Sequence, residues 1–298
     1  MTDTRCALIA IIGAPNAGKS TLVNAASGTK VSIVSPKPQT TRFRIRAVVM
    51  RPPAQLILVD TPGIFAPKRR LDRAMVAAAW GGAQDADIAL LVVDAKAGFT
   101  DAVRAVVDKL KGTSRPIWLA LNKIDLIDRQ QLLPLTAALN AELPFAETFM
   151  LSATKGDGID LMLQAMAVEA PAGPWLFPED ELSDLPNRML AAEIVREHIL
   201  RLTHDEVPHH STVECESWKE FEDGSARVDL TIFVSRPTQK AILIGEGGSK
   251  IKDIGRRARQ ELSGLLERKI HLFLNVKDRA NWDDSRVHIR ALGLDDAG

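Results

Sequence analysis

The chain has 298 residues, 46% of them hydrophobic, and its 38 basic side chains are balanced by 38 acidic ones. That length suggests about two domains, each able to bury its own core, and no apolar run approaches the roughly 18 residues a membrane-spanning helix requires. Two cysteines far apart, Cys6 and Cys215, exclude a disulfide framework and a cysteine metal cluster, so a reduced, cytoplasmic protein is expected.

The apolar run Ala7-Leu8-Ile9-Ala10-Ile11-Ile12 predicts a buried parallel strand, not a signal peptide, because it runs directly into a glycine loop. That loop is Gly13-Ala14-Pro15-Asn16-Ala17-Gly18-Lys19-Ser20, and it fits G-x-x-x-x-G-K-[ST] at every fixed position. Gly13 and Gly18 let successive N–H groups face one concavity, and a helix running on through Thr21 adds its positive end; both favour phosphate. Lys19 supplies a point charge for the β- and γ-phosphates, and the Ser20 hydroxyl is a ligand for Mg²⁺.

Val31 to Thr41 is irregular, with Pro36 and Pro38 and a Thr40-Thr41 pair, and residues 42–49 alternate as an edge strand should. Gln55–Val59 reads as a buried strand ending at Asp60-Thr61-Pro62-Gly63. An aspartate at that end of an open α/β sheet lies where ligands bind; Asp60 is expected to hold Mg²⁺ and the Gly63 backbone to approach the γ-phosphate. Further strands are predicted at Asp87–Asp94, Pro116–Leu121 and Glu147–Leu151, alternating with helices over Asp101–Lys111 and up to about Glu169. Such alternation implies a mostly parallel sheet with helices on both faces. Asn122-Lys123-x-Asp125 closes one strand and Ser152-Ala153-Thr154 another. The Asp125 carboxylate can accept from the N1–H and amino group of guanine, a donor pair adenine lacks. Asn122 is expected to hold the loop and touch the base edge, the Lys123 stem to lie along the ring, and the Ala153 N–H to meet O6.

With those loops in order, residues 5–170 resemble a Ras-like P-loop GTPase domain of the translation-factor-related class. Within it, Gly13-x-Pro15-Asn16-x-Gly18-Lys19-Ser20, Gln39-Thr40-Thr41-Arg42 and Asp60-Thr61-Pro62-Gly63 resemble the Era family. The resemblance implies GTP hydrolysed to GDP with Mg²⁺, Lys19, Thr40, Asp60 and Gly63 as catalytic residues, and Thr40 on the metal with Thr41 as its alternative. It also places Ile64 where Ras-type enzymes carry the glutamine that orients the attacking water, a task an isoleucine cannot perform. Two readings of Asn16 stay open: bracing the loop, or holding a monovalent cation, K⁺, beside the phosphates.

The stretch from Ala170 to Asp180, with three prolines, reads as a linker, giving domains at 1–170 and 187–298 joined by 171–186. Beyond it the pattern predicts a helix at Arg188–Leu202, strands at Ser211–Trp218 and Ala226–Val234 around an Asp223-Gly224 turn, a helix at Thr238–Ile244, a loop, a helix at Ser249–Arg268 and a strand at Ile270–Val276. This order, with Gly245-Glu246-Gly247-Gly248 between two helices, resembles an α+β type II KH domain, whose G-x-x-G loop clamps about four nucleotides of a single strand. Arg236 to Arg279 holds 11 basic and 5 acidic residues, and Lys240, Lys250, Lys252 and Arg256 flank the loop as candidate RNA contacts. Glu246 departs from the basic residue family members often carry there, and an acid beside bound phosphate is expected either to weaken binding or to point away from it. His209-His210 read as surface or strand residues, and Trp218 and Phe221 as core.

An Era GTPase combines these two domains, and Trp282-Asp283-Asp284 resembles that family's tail, so the resemblance covers nearly the whole chain. It implies a monomeric switch that binds small-subunit (16S) ribosomal RNA and acts in 30S subunit assembly, with a peripheral association at the cytoplasmic face of the inner membrane. Two rival classes are a regulatory GTPase whose second domain binds a protein and a P-loop phosphotransferase. The basic stretch argues against the first and Asn122-Lys123-x-Asp125 against the second.

Overall fold

The computed structural model describes residues 4–203 and 207–294, and the chain forms two compact units. The first comprises the chain through Ser32, Thr41–Asp184 and the chain from Leu292 on; the second comprises Ile33–Thr40 and Leu185–Ala291. The last four residues of the expected second domain, 295–298, lie outside the described residues.

In the first unit, β1 (Arg5–Ile12), β3 (Ala54–Asp60), β4 (Ile88–Asp94), β5 (Ile117–Asn122) and β6 (Glu147–Met150) run parallel, and β2 (Ile45–Arg51) pairs antiparallel with β3 at one edge. The sheet order is β2-β3-β1-β4-β5-β6. Strands covered on both faces must be apolar throughout, and every residue of β3 is buried. Helices α1 (Lys19–Ser27) and α5 (Ile159–Glu169) pack on one face, placing Leu22, Val23, Met162 and Leu163 against Ile9, Ile11 and Leu58. Helices α2 (Arg70–Asp85), α3 (Asp101–Leu110) and α4 (Leu132–Glu142) cover the other, where Ala79, Val103 and Leu139 join Ala10, Ile12 and Leu91 in the core. Helix α3 begins where a capping residue dictates: the Thr100 hydroxyl accepts from the Val103 N–H at 3.3 Å.

One expectation is corrected in this unit. The edge strand starts at Ile45, not Arg42, and Arg42 and Phe43 are buried ahead of it. The segment read as the interdomain linker also runs as a strap along the sheet: the Cys6 N–H donates to Pro171 O at 3.1 Å and the Val48 N–H to Leu182 O at 3.0 Å. Gln55, fully buried in β3, fastens it. Its Oε1 accepts from the Leu176 and Phe177 amides at 2.9 and 3.0 Å, and its Nε2 donates to Phe177 O at 2.8 Å. The strap ends at Asp184, which pairs with Arg46 at 3.1 Å.

The second unit contains α6 (Asn187–Leu202), β7 (Ser211–Glu220), β8 (Ala226–Val234), α7 (Pro237–Ile244), α8 (Ser249–Leu265), β9 (Ile270–Asp278) and α9 (Arg286–Ala291). Its sheet order is β7-β8-β9, antiparallel then parallel. The expected inward face is observed: Val228, Leu230, Ile232 and Val234 meet Ile194 and Ile199 of α6 and Ile254, Ala258 and Leu262 of α8. Helix α8 stops at Leu265, three residues short of the expected Arg268, because Glu267 is left-handed at φ 50°. His209 and His210 sit half-buried in the turn before β7, not within a strand, and Phe221 is exposed because β7 ends at Glu220 and Phe221 belongs to the hairpin turn. Trp282 is buried, its indole N–H donating to His210 O at 3.1 Å.

Segment 33–40, from the first half of the sequence, packs on α6. Ile33 joins the apolar core, the Val34 N–H donates to Glu197 at 3.4 Å, Arg201 donates to Val34 O at 3.0 Å, and Arg196 donates to Thr40 O.

Candidate nucleotide and nucleic-acid sites

The glycine loop leaves β1 and enters α1, so its amides converge at the C-terminal edge of the parallel strands. Gly18 is left-handed at φ 92°, and a Cβ there would lie 2.3 Å from Asn122 Nδ2; only glycine admits that side chain. Gly63 follows the same logic, since a Cβ would lie 3.0 Å from the Pro15 backbone. The Ile64 N–H donates to Gly13 O at 3.1 Å, tying the segment after β3 to the loop.

Lys19 is buried, and its ammonium donates to Gly13 O and Ala14 O at 3.2 and 3.0 Å. Burial lowers its pKa to about 8, against the opposing pull of Asp60. A phosphate beside it would restore the charged form. Burial likewise pushes the Asp60 carboxyl up, while nearby Ser20, the Lys19 charge and the Thr41 hydroxyl draw it back. Asp60 Oδ1 is buried without a hydrogen-bond partner. Next to it, Thr41 Oγ1 lies 2.7 Å from Ser20 Oγ and donates to Asp60 Oδ2 at 3.3 Å. An orphaned carboxylate oxygen among hydroxyl oxygens is the hard-oxygen donor set that suits Mg²⁺, so these residues fit the metal.

The threonine hydroxyl beside Asp60 belongs to Thr41. Thr40 Oγ1 instead lies 2.7 Å from Ser35 Oγ and donates to Lys37 O at 2.7 Å, within the second unit. Arg196 holds the Thr40 carbonyl, so of the expected threonine and its alternative it is Thr41 whose hydroxyl lies at Asp60 here. Ile64 is buried in the apolar cluster under α2, in keeping with its inability to orient water.

At the base end, Asn122 Nδ2 donates to Ala17 O at 2.9 Å, and Lys123 Nζ to Asn16 O at 2.7 Å. Asp125 stands exposed on the single turn Ile124–Leu126, open to a base. Ser152 and Ala153 are buried beside it and Thr154 is exposed. The Ala153 N–H, expected to meet O6, donates to Asn122 Oδ1 at 3.0 Å. Asp94, absent from the sequence-based site, joins it through Lys123 at 2.6 Å. Its position at the end of β4, level with Asn122 across the sheet, is the signal that marks it.

In the second unit, Gly245, Gly247 and Gly248 all have positive φ, at 71°, 57° and 77°. Glu246 is exposed, and Lys252 reaches back to Gly247 O at 3.3 Å. Lys240 on α7 pairs with Asp278 at 3.6 Å and Arg256 with Asp253 at 2.6 Å, while Lys250 is half-buried beside the loop. Farther along α8, Arg256 and Arg259 line a groove with Lys269 and His271 of ≈ 450 Å³. Among the described residues, no group of His, Cys, Asp and Glu could hold a metal by itself.

Guanine-nucleotide loops in this order on this sheet, followed by a three-stranded unit with a glycine loop between two helices, define a GTPase carrying a C-terminal KH domain. A family model described as a 50S ribosome-binding GTPase matches residues 8–123, and one described as a KH domain matches 206–283. The GTPase Era of Bradyrhizobium sp. strain BTAi1 is 53% identical over 293 residues, covering 98% of this chain and 95% of that protein. The GTPase Era of Brucella suis is 51% identical, covering 99% and 94%. A crystal structure of Era in complex with MgGDPNP and nucleotides 1506–1542 of 16S ribosomal RNA matches with TM-score 0.93 at 38% identity, covering 97% of this chain and 99% of that one. A variant of Aquifex aeolicus Era bound to GDP·AlF4⁻ matches with the same score, identity and coverage. The chain belongs to the Era GTPase family.

Proposed function

We propose that this chain is a GTP-hydrolysing switch that binds 16S ribosomal RNA through its KH domain and acts in 30S subunit assembly. The observation that carries the RNA half of this reading is the run of left-handed glycines at Gly245–Gly248, whose backbone leaves room for phosphates beside a basic helix. The relative solved with 16S nucleotides supports the choice of RNA. Domains at 1–170 and 187–298 joined by 171–186 remain our functional division.

On the nucleotide side, Ser20, Thr41 and Asp60 would hold Mg²⁺, which supplies positive charge at the phosphates. The loop amides and Lys19 bind the β- and γ-phosphates, the Gly63 backbone sits beside the γ-phosphate, and Asp125 selects guanine. With Ile64 buried, nothing at its position orients water. Asn16, exposed in the loop, is our candidate holder of K⁺; replacing sodium by potassium at constant ionic strength should speed hydrolysis in wild type and not in Asn16→Asp. Among the described residues no helix is long and apolar enough to cross a membrane. Peripheral membrane association, cytoplasmic location and a monomeric state rest on the family resemblance.

The test of the whole reading is binding of a 16S 3′-terminal RNA fragment by the full chain with GDP or a GTP analogue. Tight binding to that RNA over a scrambled one is expected. Equal, weak binding to both, with intact GTP hydrolysis, would leave a GTPase whose KH domain serves another partner.

A further inference from the structure

Lys123 is one of the few non-glycine residues with positive φ, at 64°, directly after β5. Its ammonium has two partners: the Asn16 carbonyl in the phosphate loop at 2.7 Å and Asp94 Oδ2 at 2.6 Å. Asp94 is the last residue of β4 and lies level with Asn122 across the sheet. Its two oxygens divide the work. Oδ1 accepts from the Lys96 and Ala97 amides at 3.0 and 3.2 Å, which fixes the carboxylate on its own turn, and Oδ2 faces Lys123. Next along the chain, Asn122 holds the Ala17 carbonyl at 2.9 Å. Consecutive side chains of the base-reading loop thus grip consecutive carbonyls of the phosphate loop, and Asp94 anchors one of the two grips.

A lysine side chain carries four rotatable bonds, and ordering it is entropically costly. The exposed Asn16 carbonyl alone is a weak restraint against that cost. A carboxylate already immobilised by two amides adds a charge-assisted bond in a fixed direction. The ion pair is partly screened, with side chains 28% and 22% exposed, so its value lies in aiming Lys123 more than in raw stability.

We propose that Asp94 is a positioning residue for the guanine-nucleotide site: it holds Lys123 across the phosphate loop at Asn16, so that loop and base-reading segment are set before nucleotide arrives. The test is a double-mutant cycle on GDP and GTP-analogue affinity in the full chain. Asp94→Asn keeps an oxygen for the Lys96 and Ala97 amides but removes the charge facing Lys123. It is expected to weaken both nucleotides about tenfold, by the same factor. In a Lys123→Met background the same substitution is expected to cost less than about twofold. A merely structural turn cap would cost equally in both backgrounds, and that result would overturn the proposal, as would unchanged affinity in Asp94→Asn. Should Asp94→Asn fold poorly by circular dichroism, Asp94→Ser, which retains a short acceptor for the turn, runs the same cycle with the same expected and overturning results. Failure of the wild type to bind GDP would overturn the nucleotide reading itself, and the clamp with it.

Discussion

At the scale of single residues, the nucleotide site turns on which hydroxyls and carboxylates surround the orphaned Asp60 oxygen. Thr41 Oγ1 is hydrogen-bonded to both Ser20 and Asp60, whereas Thr40 is engaged by Ser35 and Lys37. Thr41→Ala is therefore expected to slow Mg²⁺-dependent phosphate release at least about tenfold, equivalent to ~1.4 kcal/mol of barrier, and Thr40→Ala to change it less than about twofold. Single-turnover hydrolysis checks this, and the reverse order of effects would return the metal to Thr40. Asp125 carries base choice. Asp125→Asn should weaken GTP and favour xanthosine triphosphate, whose extra carbonyl meets the amide, with discrimination of up to ~10⁴ where a polar group is left unpaired. Competition binding with GTP, ATP and XTP reads it directly. Lys19, Ser20, Asp60, Asn122 and Asp125 were legible because each has a fixed place in a local pattern. Asp94 was not, because what distinguishes it is a partner 29 residues away.

At the scale of elements, two side chains carry more than their motifs suggest. Gln55→Ala would strip the Leu176 and Phe177 amides and the Phe177 carbonyl of their partner, at a cost of about 1–3 kcal/mol. The expected result is a lower unfolding midpoint and faster amide exchange at residues 176 and 177; unchanged exchange there would mean the strap is held otherwise. Asp72 closes the start of α2, accepting from the Lys68 and Arg69 amides at 3.2 and 3.0 Å. Burial alone would raise its pKa, but the Arg69 guanidinium and these amides outweigh it and hold the carboxyl below its usual value. A depressed folded pKa contributes stability that is present above the unfolded value near ~3.9 and is lost as pH falls through the folded value. Asp72→Ala should thus cost about 1 kcal/mol at pH 7 and progressively less below about pH 4, measured by denaturant unfolding across pH. The parallel strands were readable from unbroken apolar runs. Helix α2 is hard to read from sequence because its buried stripe, Leu71, Ala74, Met75, Ala79, Gly82 and Ala83, is made mostly of small residues, with Gly81 and Gly82 inside the helix. The prolines of 171–178 suggest a linker by composition, yet an edge strap tolerates prolines equally well.

At the scale of the whole molecule, charge balance hides a local division of labour. The chain is neutral in sum, yet the stretch around the Gly245–Gly248 loop is basic, with one exposed acid, Glu246, at its tip. If RNA phosphates lie on that backbone, Glu246→Lys should tighten binding of single-stranded RNA and steepen its salt dependence. Lys250→Ala and Lys252→Ala should weaken binding and flatten the dependence by about one counterion for each lysine on phosphate. GTP affinity should be unchanged in all three, since the nucleotide loops belong to the other unit. Affinity across a salt series decides it, and three flat results would remove RNA from this loop.

What the amino-acid sequence determined by itself was everything encoded in short range: the phosphate loop, the Asp60 and Asn122 strand ends, the parallel α/β order, and the order of elements around the second glycine loop. Those features follow from local backbone geometry and apolar periodicity, which a few neighbouring residues specify. The tertiary structure alone decided which of two adjacent threonines faces Asp60, that the Ala153 amide is given to Asn122, that Gln55 binds a strap, and that Asp94 aims Lys123. It also decided that residues 33–40 fold with α6, under the grip of Glu197 and Arg201. Each of these depends on partners brought together from about twenty residues apart or more, and a buried polar group takes whichever partner the packed chain delivers, because leaving it unpaired costs more than any local preference supplies.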